Sequence, residues 1–489
     1  MKLNYPILIT ETEQGSEGEF VYVQSQGKNE LLKLNASLKA KKSFSRVVSI
    51  FKDIFLPRGY PDSVSKDYVN YQIWDTLQAC CSTITGTLAT KAVLQGIGVG
   101  DSTANSTSAA VTWVLKDGIG LLAKIAFAWG IGSGLDGECK KWRMFADILN
   151  DTAIFTELIF MTLYTEYAFY ILCFSTSLKG LVGVAGGATR AAITQHQAVK
   201  ENMADVSAKD GSQETCVNLL TSLMGVGLLS YFGDNSALWY LFVILTYFHL
   251  YCNYKAVKAL NFNFFNNERL VIFLKNYFLS DIALPPQEVN ERESVLLGAG
   301  ESDSSICGHK IKIGCSLDKI TSKKLLLPLQ IQFLAHLYKK RKYMIVLCEN
   351  QNTIYVFLDT TITSKDVLEA YFHAVILGIG VSYIKNSTFL PTKKFVKGDK
   401  FKQFPSQSKM LNSLYESLSS KQIQYLMDKQ GIDISVLMTI DNFATQHATD
   451  CFQNAAMMGW DIEKNLLKVD NWRAYWGDQR SANENPKDL

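Results

Sequence analysis

The ten cysteines of this 489-residue chain never form a C-x-x-C pair. Their scatter from Cys80 to Cys451 fits neither a disulfide framework nor a zinc ribbon. They read as small core side chains in a reducing compartment. Charge of one sign is also missing: 49 basic and 46 acidic residues leave a net charge of +3, which excludes the basic footprint of a nucleic-acid partner. The Gly-rich run that opens the stretch 180–214 holds no G-x-x-x-x-G-K-[ST] and no G-x-G-x-x-G phosphate loop, and the chain has no H-E-x-x-H metal motif and no nucleophile elbow. The opening MKLNYPILITETEQGSEGEF has an apolar run of about four residues followed at once by acid, unlike a secretory signal. Membrane insertion is therefore expected to use internal segments, and the N-x-S/T triplets at Asn35, Asn105 and Asn386 read as chance.

What is present is an uneven distribution of apolar residues. Residues 76–260 are crowded with Phe, Tyr, Leu, Gly and Ala, while charge concentrates before and after them. Residues 1–50 read as a peripheral segment with short strands at 20–23 and 31–38, the second also compatible with a short helix. They end in a basic, aromatic-containing stretch fit for an amphipathic helix. Residues 51–284 read as a helical membrane domain. Its apolar segments lie at 76–99, 109–134, 156–176, 215–233 and 235–254, the last two being 19 and 20 residues without charge. Glu166 is expected near the middle of the third, and residues 134–151 in an exposed or interfacial helix or loop. Residues 285–305 read as a linker or exposed loop. An α+β domain at 306–395 holds two strands, 342–348 and 353–359, and a helix at 366–377; a helical extension fills 396–489. The fold class is mainly α: a multi-helix membrane-embedded bundle with a C-terminal α+β domain.

Candidate chemistry concentrates between Arg190 and Glu214. A single helix from about Ala188 would align Arg190, Thr194, Gln197, Glu201 and Asp205 in one polar stripe, widened by His196, Lys200 and Asn202. Such a stripe beside apolar spans either lines a cavity or remains a solvated connecting helix; both readings stand. His196 is the natural titrating group. In the second apolar segment Lys116 and Asp117 are adjacent, so they do not share a helical face and would meet a polar interior or other partners. No residue is assigned a catalytic or metal-binding role, and no cofactor is implied.

The blocks FLPRGYPDSVSKDYVNYQIWDTLQA (55–79), GTLATKAVLQGIGVGD (86–101), WVLKDGIGLLAKIAFAW (113–129), LDGECKKWRMFADILND (135–151) and TRAAITQHQAVKENMADVSAKDGSQETCVNLL (189–220) occur in an order that resembles the root UVB-sensitive family. The resemblance implies an intracellular, multi-pass membrane protein linked to vitamin B6 or auxin homeostasis, able to pair with itself or another family member. It supplies no catalytic residues. Lys116, Asp117, Arg190, His196, Asn202, Asp205, Lys209 and Glu214 match its motifs as family positions, and Glu201 joins them from the stripe. The leading expectation is a membrane protein, in contact with lipid, that binds or supports transport of a small polar metabolite. The alternative is a non-catalytic scaffold acting through a protein partner. A third reading, an enzyme of pyridoxal phosphate chemistry, would use Lys200 or Lys209 as an imine-forming residue.

Overall fold

In a computed structural model, residues 7–12, 19–24, 31–35, 44–97, 106–131, 134–233, 237–322, 328–384, 408–419 and 434–476 are described. The chain divides into two units, 1–130 with 143–260, and 131–142 with 261–489.

The first unit opens with an antiparallel sheet of β1 (Ile7–Thr12), β2 (Glu19–Gln24) and β3 (Leu31–Asn35), β2 in the middle. Helix α1 (Phe44–Phe55) ends before Pro57 and Gly59, the latter at φ +76°, where a side chain would be strained. Six long helices come next: α2 (Tyr68–Gly96), α3 (Ser106–Ile131), α4 (Cys139–Leu163), α5 (Ala168–Gln197), α6 (Met203–Phe232) and α7 (Ala237–Ala259). Leu88 and Ala89 of α2 pack against Ile154 of α4 and Phe242 of α7, one turn before Ala92 and Val93 meet Met161 of α4 and Leu172 of α5. Small residues permit the closest contact: a Cβ added to Gly180 of α5 would lie 2.7 Å from the Gly120 carbonyl of α3.

Two expectations need correction here. Residues 156–176 are not one span, because α4 stops at Leu163 and a short 3-10 turn, Thr165–Tyr167, precedes α5. Glu166 therefore sits exposed at the junction. The carboxylate that is buried is Glu157, which receives Lys179 Nζ at 2.6 and 2.7 Å and the Ser175 hydroxyl at 2.9 Å. Residues 134–151 are not an exposed segment either, since α4 begins at Cys139 and Lys140, Lys141, Asp147 and Asp151 are buried.

The second unit contains β4 (Phe264–Asn266), α8 (Asn267–Ser280), α9 (Pro286–Arg292), α10 (Asp303–Cys307), β5 (Lys310–Ile313), α11 (Asp318–Thr321), α12 (Pro328–Leu337), β6 (Tyr343–Cys348), β7 (Thr353–Leu358), α13 (Ser364–Ile384), α14 (Lys409–Ser419), α15 (Ile434–Met457) and β8 (Asp461–Leu466). Strand β7 lies between β5, parallel to it, and β6, antiparallel to it; β4 pairs with β8. The expected β6–β7 hairpin pairs Tyr343 with Leu358 and Cys348 with Thr353. Helix α13 is buried nearly all round, as a helix without a polar face must be in a protein core.

The segmentation expected after residue 284 also changes. Residues 285–305 contain α9 and bury Val289, Asn290 and Glu293. Residues 261–284 belong to the second core, where Phe265 stacks on Trp460 at 4.0 Å and Phe278 lies 5.4 Å from Phe372. The strands at 343–358 share that core with α14 and α15, so among the described residues 306–395 has no apolar interior separate from that of these two helices.

A buried ionic cluster ties the start of this unit together. Glu293 receives Arg269 Nη1 at 3.1 and 3.2 Å, Lys140 Nζ at 3.0 Å and Asn266 Nδ2 at 2.8 Å. Asn266 also caps α8 by accepting from the Arg269 amide and donates to the Gly137 carbonyl. Burial alone would raise the Glu293 carboxyl, but Arg269, Lys140 and the donated hydrogen bonds outweigh it and hold it at about 2, below the ordinary 4.5. A carboxyl lowered on folding stabilises the fold above its unfolded value and loses that contribution as the pH falls through the folded one. Tertiary structure followed by near-ultraviolet circular dichroism should therefore weaken between pH 4.5 and 2 in the native chain. Glu293→Gln, which strands two buried cations, should lower stability at neutral pH by roughly 3–5 kcal/mol and flatten the response in that window.

Candidate functional site

Helices α5 and α6 form a hairpin. Arg190 lies about two turns before the end of α5, and Asp210 about two turns after the start of α6, so the two meet across it. Arg190 donates Nε and Nη2 to Asp210 Oδ2 at 2.8 and 2.6 Å, and its Nη1 stands 2.6 Å from Glu214 Oε2. The far oxygen of Asp210 accepts from Gln72 Nε2 at 3.0 Å, which fastens the hairpin to α2.

The single polar helix expected from Ala188 is broken at 198–202. Val64 bridges to Ala198, the Ser65 amide donates to the Gln197 carbonyl, and Glu201 adopts φ +54°. The stripe is divided accordingly. Arg190, Thr194 and Gln197 remain on one cavity wall, whereas Asp205 turns away to accept the Arg58 amide at 2.7 Å.

That cavity measures about 210 Å³ and lies within the first unit. Its walls come from α2 (Tyr71, Asp75, Gln78, Ala79, Ser82, Thr83), α4 (Arg143, Asp147), α5 (Arg190, Ile193, Thr194, Gln197) and α6 (Asp210, Glu214, Asn218). Arg143 Nη2 donates to Asp75 Oδ1 at 3.0 Å, the same pairing of guanidinium and carboxylate that Arg190 makes. Behind Gln78 lies a buried relay: its Nε2 is 2.9 Å from His249 Nε2, and His249 Nδ1 is 2.8 Å from Asp151 Oδ2. A ring held on both sides has its orientation fixed, and with it the choice of which nitrogen faces the amide.

Of the expected site residues, the structure brings Arg190 and Glu214 together on the cavity wall and leaves the others elsewhere. His196 stands outside it, 2.9 Å from Asp67 Oδ2. Lys209 donates to the Asp53 carbonyl and Gln213 to that of Phe55, so this face of α6 holds the end of α1. Asn202 accepts from the Lys200 amide, and Glu201 is exposed. Lys116 and Asp117 pair with each other at 2.7 Å, and Lys116 Nζ stands 4.0 Å over the Trp113 ring, so neither reaches a polar interior. Among the described residues, no three His, Cys, Asp or Glu side chains converge as a metal site requires.

The residues that sequence reasoning missed are Asp75, Gln78, Arg143, Asp147, Asp151 and His249. Their signal was spacing. Tyr71, Asp75, Gln78 and Ser82 occupy successive helical steps on α2, and Arg143, Asp147 and Asp151 do so on α4.

Comparison with known proteins agrees with this division only in part. Residues 41–281 match the family described as "Vitamin B6 photo-protection and homoeostasis domain", and residues 283–476 match "Root UVB sensitive protein, C-terminal". The boundary between the two matches lies beyond Leu260, where the first structural unit ends. The chain is 44% identical over 276 residues to "RUS family member 1" of Dictyostelium discoideum, covering 56% of this chain and 51% of that one, so it spans about half of that relative's length. It is 35% identical over 356 residues to "Protein root UVB sensitive 3" of Arabidopsis thaliana, covering 70% and 79%. "Protein root UVB sensitive 2, chloroplastic", also from Arabidopsis thaliana, is 25% identical over 344 residues, covering 70% and 75%. No solved structure matches. With two matched domains running in succession and a relative of which more than two thirds is covered, the chain belongs to the root UVB sensitive family.

Proposed function

We propose that the first unit is embedded in an intracellular membrane and that its polar cavity binds a small polar metabolite, by which the chain serves vitamin B6 homeostasis or transport. The observation that carries this reading is the contrast between the outside and the inside of the helices. Among the described residues, three helices are long and apolar enough to cross a membrane: Thr165–Gln197, Met203–Phe232 and Ser364–Ile384. In the third, 83% of the apolar window is buried, the state of a core helix, but in the first two only 22% and 11% is. Leu219, Leu223 and Tyr231 on α6, Tyr170 and Phe174 on α5, and Val114, Leu122, Ile125 and Trp129 on α3 all face outward. Apolar exposure on this scale favours lipid or a partner over water. The charged side chains that line the cavity pair with opposite charges, which lowers their cost. The family description supplies the link to vitamin B6.

A second reading is favoured by α3, whose Trp129 is 90% exposed: a non-catalytic scaffold, with that face covered by a second copy or another family member.

Alkaline carbonate extraction of membranes from expressing cells should leave the chain in the pellet, and Leu223→Arg should reduce the retained fraction. Release of the folded native chain into the supernatant would refute embedding. With pyridoxine as the probe and the chain in lipid nanodiscs, titration calorimetry should show Arg190→Ala weakening binding about tenfold or more. His196→Ala, outside the cavity, should change it less than about twofold. These changes correspond to about 1.4 kcal/mol for each tenfold loss. Equal effects of both variants would remove the cavity from the explanation, and a dimer that binds no probe would favour the scaffold.

A further inference from the structure

We infer that the cavity selects a small cationic amine and rejects the phosphorylated form of the same molecule. The inference rests on the cavity reading above and adds its charge preference.

Four carboxylates, Asp75, Asp147, Asp210 and Glu214, line the space, against two guanidiniums, Arg143 and Arg190, with no lysine or histidine on the wall. Arg190 is fully engaged, directing Nε and Nη2 to Asp210 and Nη1 to Glu214. Arg143 Nη2 holds Asp75, and its Nε, which makes no hydrogen bond, faces Asp147 Oδ2 at 3.8 Å. At Arg190 an incoming phosphate would have to displace Asp210 or Glu214, and at Arg143 it would meet the carboxylates of Asp75 and Asp147, which repel it.

The acidic excess alone would not define a site, but two buried side chains on the same wall point to a ligand. Asp147 is 7% exposed and its Oδ2 makes no hydrogen bond, the Arg143 Nε lying 3.8 Å away. Gln197 is 2% exposed and its Nε2 likewise has no hydrogen-bond partner. A buried acceptor of this kind is normally satisfied, and a charged donor satisfies a carboxylate best. Asp147 Oδ2 thus suits a ligand ammonium, and Gln197 Nε2 a hydroxyl or carbonyl oxygen on the same molecule. At about 210 Å³ the space is below the roughly 300–1,000 Å³ of drug-sized pockets, so the ligand is small.

Three probes separate the possibilities: pyridoxamine, which carries a primary ammonium; pyridoxine, with a hydroxyl in its place; and pyridoxamine 5′-phosphate, which adds the phosphate. Calorimetric titration of the full chain in nanodiscs should rank pyridoxamine first, about tenfold or more tighter than pyridoxamine 5′-phosphate. Asp147→Asn keeps the shape and removes the charge. It should weaken pyridoxamine about tenfold and pyridoxine less than about twofold, with the thermal midpoint of the variant checked alongside. If the phosphorylated probe binds the native chain most tightly, the charge preference is overturned while the cavity reading stands. If no probe binds the native chain, both fall. The ranking on the native chain decides the matter even if the variant does not fold.

Discussion

Glu293 cannot remain charged and buried without its partners, and those partners come from three places in the chain: Lys140 at the start of α4, Arg269 on α8 and Asn266 at its cap. The same constraint operates beside it, where Lys141 meets Glu268 at 2.9 Å and donates to the Ala299 carbonyl. Gly300 closes over this pair at φ +105°, and a Cβ there would clash with the Glu268 carboxylate. Pairs of this kind add little net stability compared with apolar residues of the same volume, but breaking one is costly. Their effect is to fix which segments can come together. The adjacent lysines of LDGECKKW are thereby anchored in the second unit, while Arg143, one turn further along the same helix, serves the first.

In the first unit the paired charges enclose a space. Arg143 with Asp75 and Arg190 with Asp210 and Glu214 are two clasps on facing helices, and between them stand polar side chains whose hydrogen-bonding capacity is not exhausted. A purely structural network would be expected to satisfy such groups internally. The relay from Gln78 through His249 to Asp151 extends from this wall into the bundle and fixes the amide that faces the cavity.

Composition does not distinguish the apolar helices by role. Helices α6 and α13 have similar mean hydropathy over their most apolar windows, 1.4 and 1.6, yet 11% of one and 83% of the other is buried. What separates them is the company each keeps. Residues Phe372, Ala374 and Ile376 of α13 are enclosed by α15, α8 and the β5–β7–β6 sheet, whereas Leu219 and Leu223 of α6 meet nothing on their outer side among the described residues.

Local patterns were legible from the residues themselves. The β6–β7 hairpin, the apolar helices, the turn at Pro57 and Gly59 and the ordered family blocks all arise from period, punctuation and motif, which act over a few residues. Within the polar stretch, Arg190 and Glu214 face one space. Its geometry was not legible. A helical wheel drawn through 198–202 carries Arg190 toward Asp205, but the backbone turns there because the 61–65 segment binds it, and Arg190 meets Asp210 instead. The burial of Glu293 escaped for the same reason: it is set by Lys140, far away in the chain, and sequence periodicity carries no record of which distant charge or ring a side chain will meet. The sequence alone determined the helices and the family. The tertiary structure decided which charges face one another, because pairing a buried charge is a constraint between segments and not a property of either one.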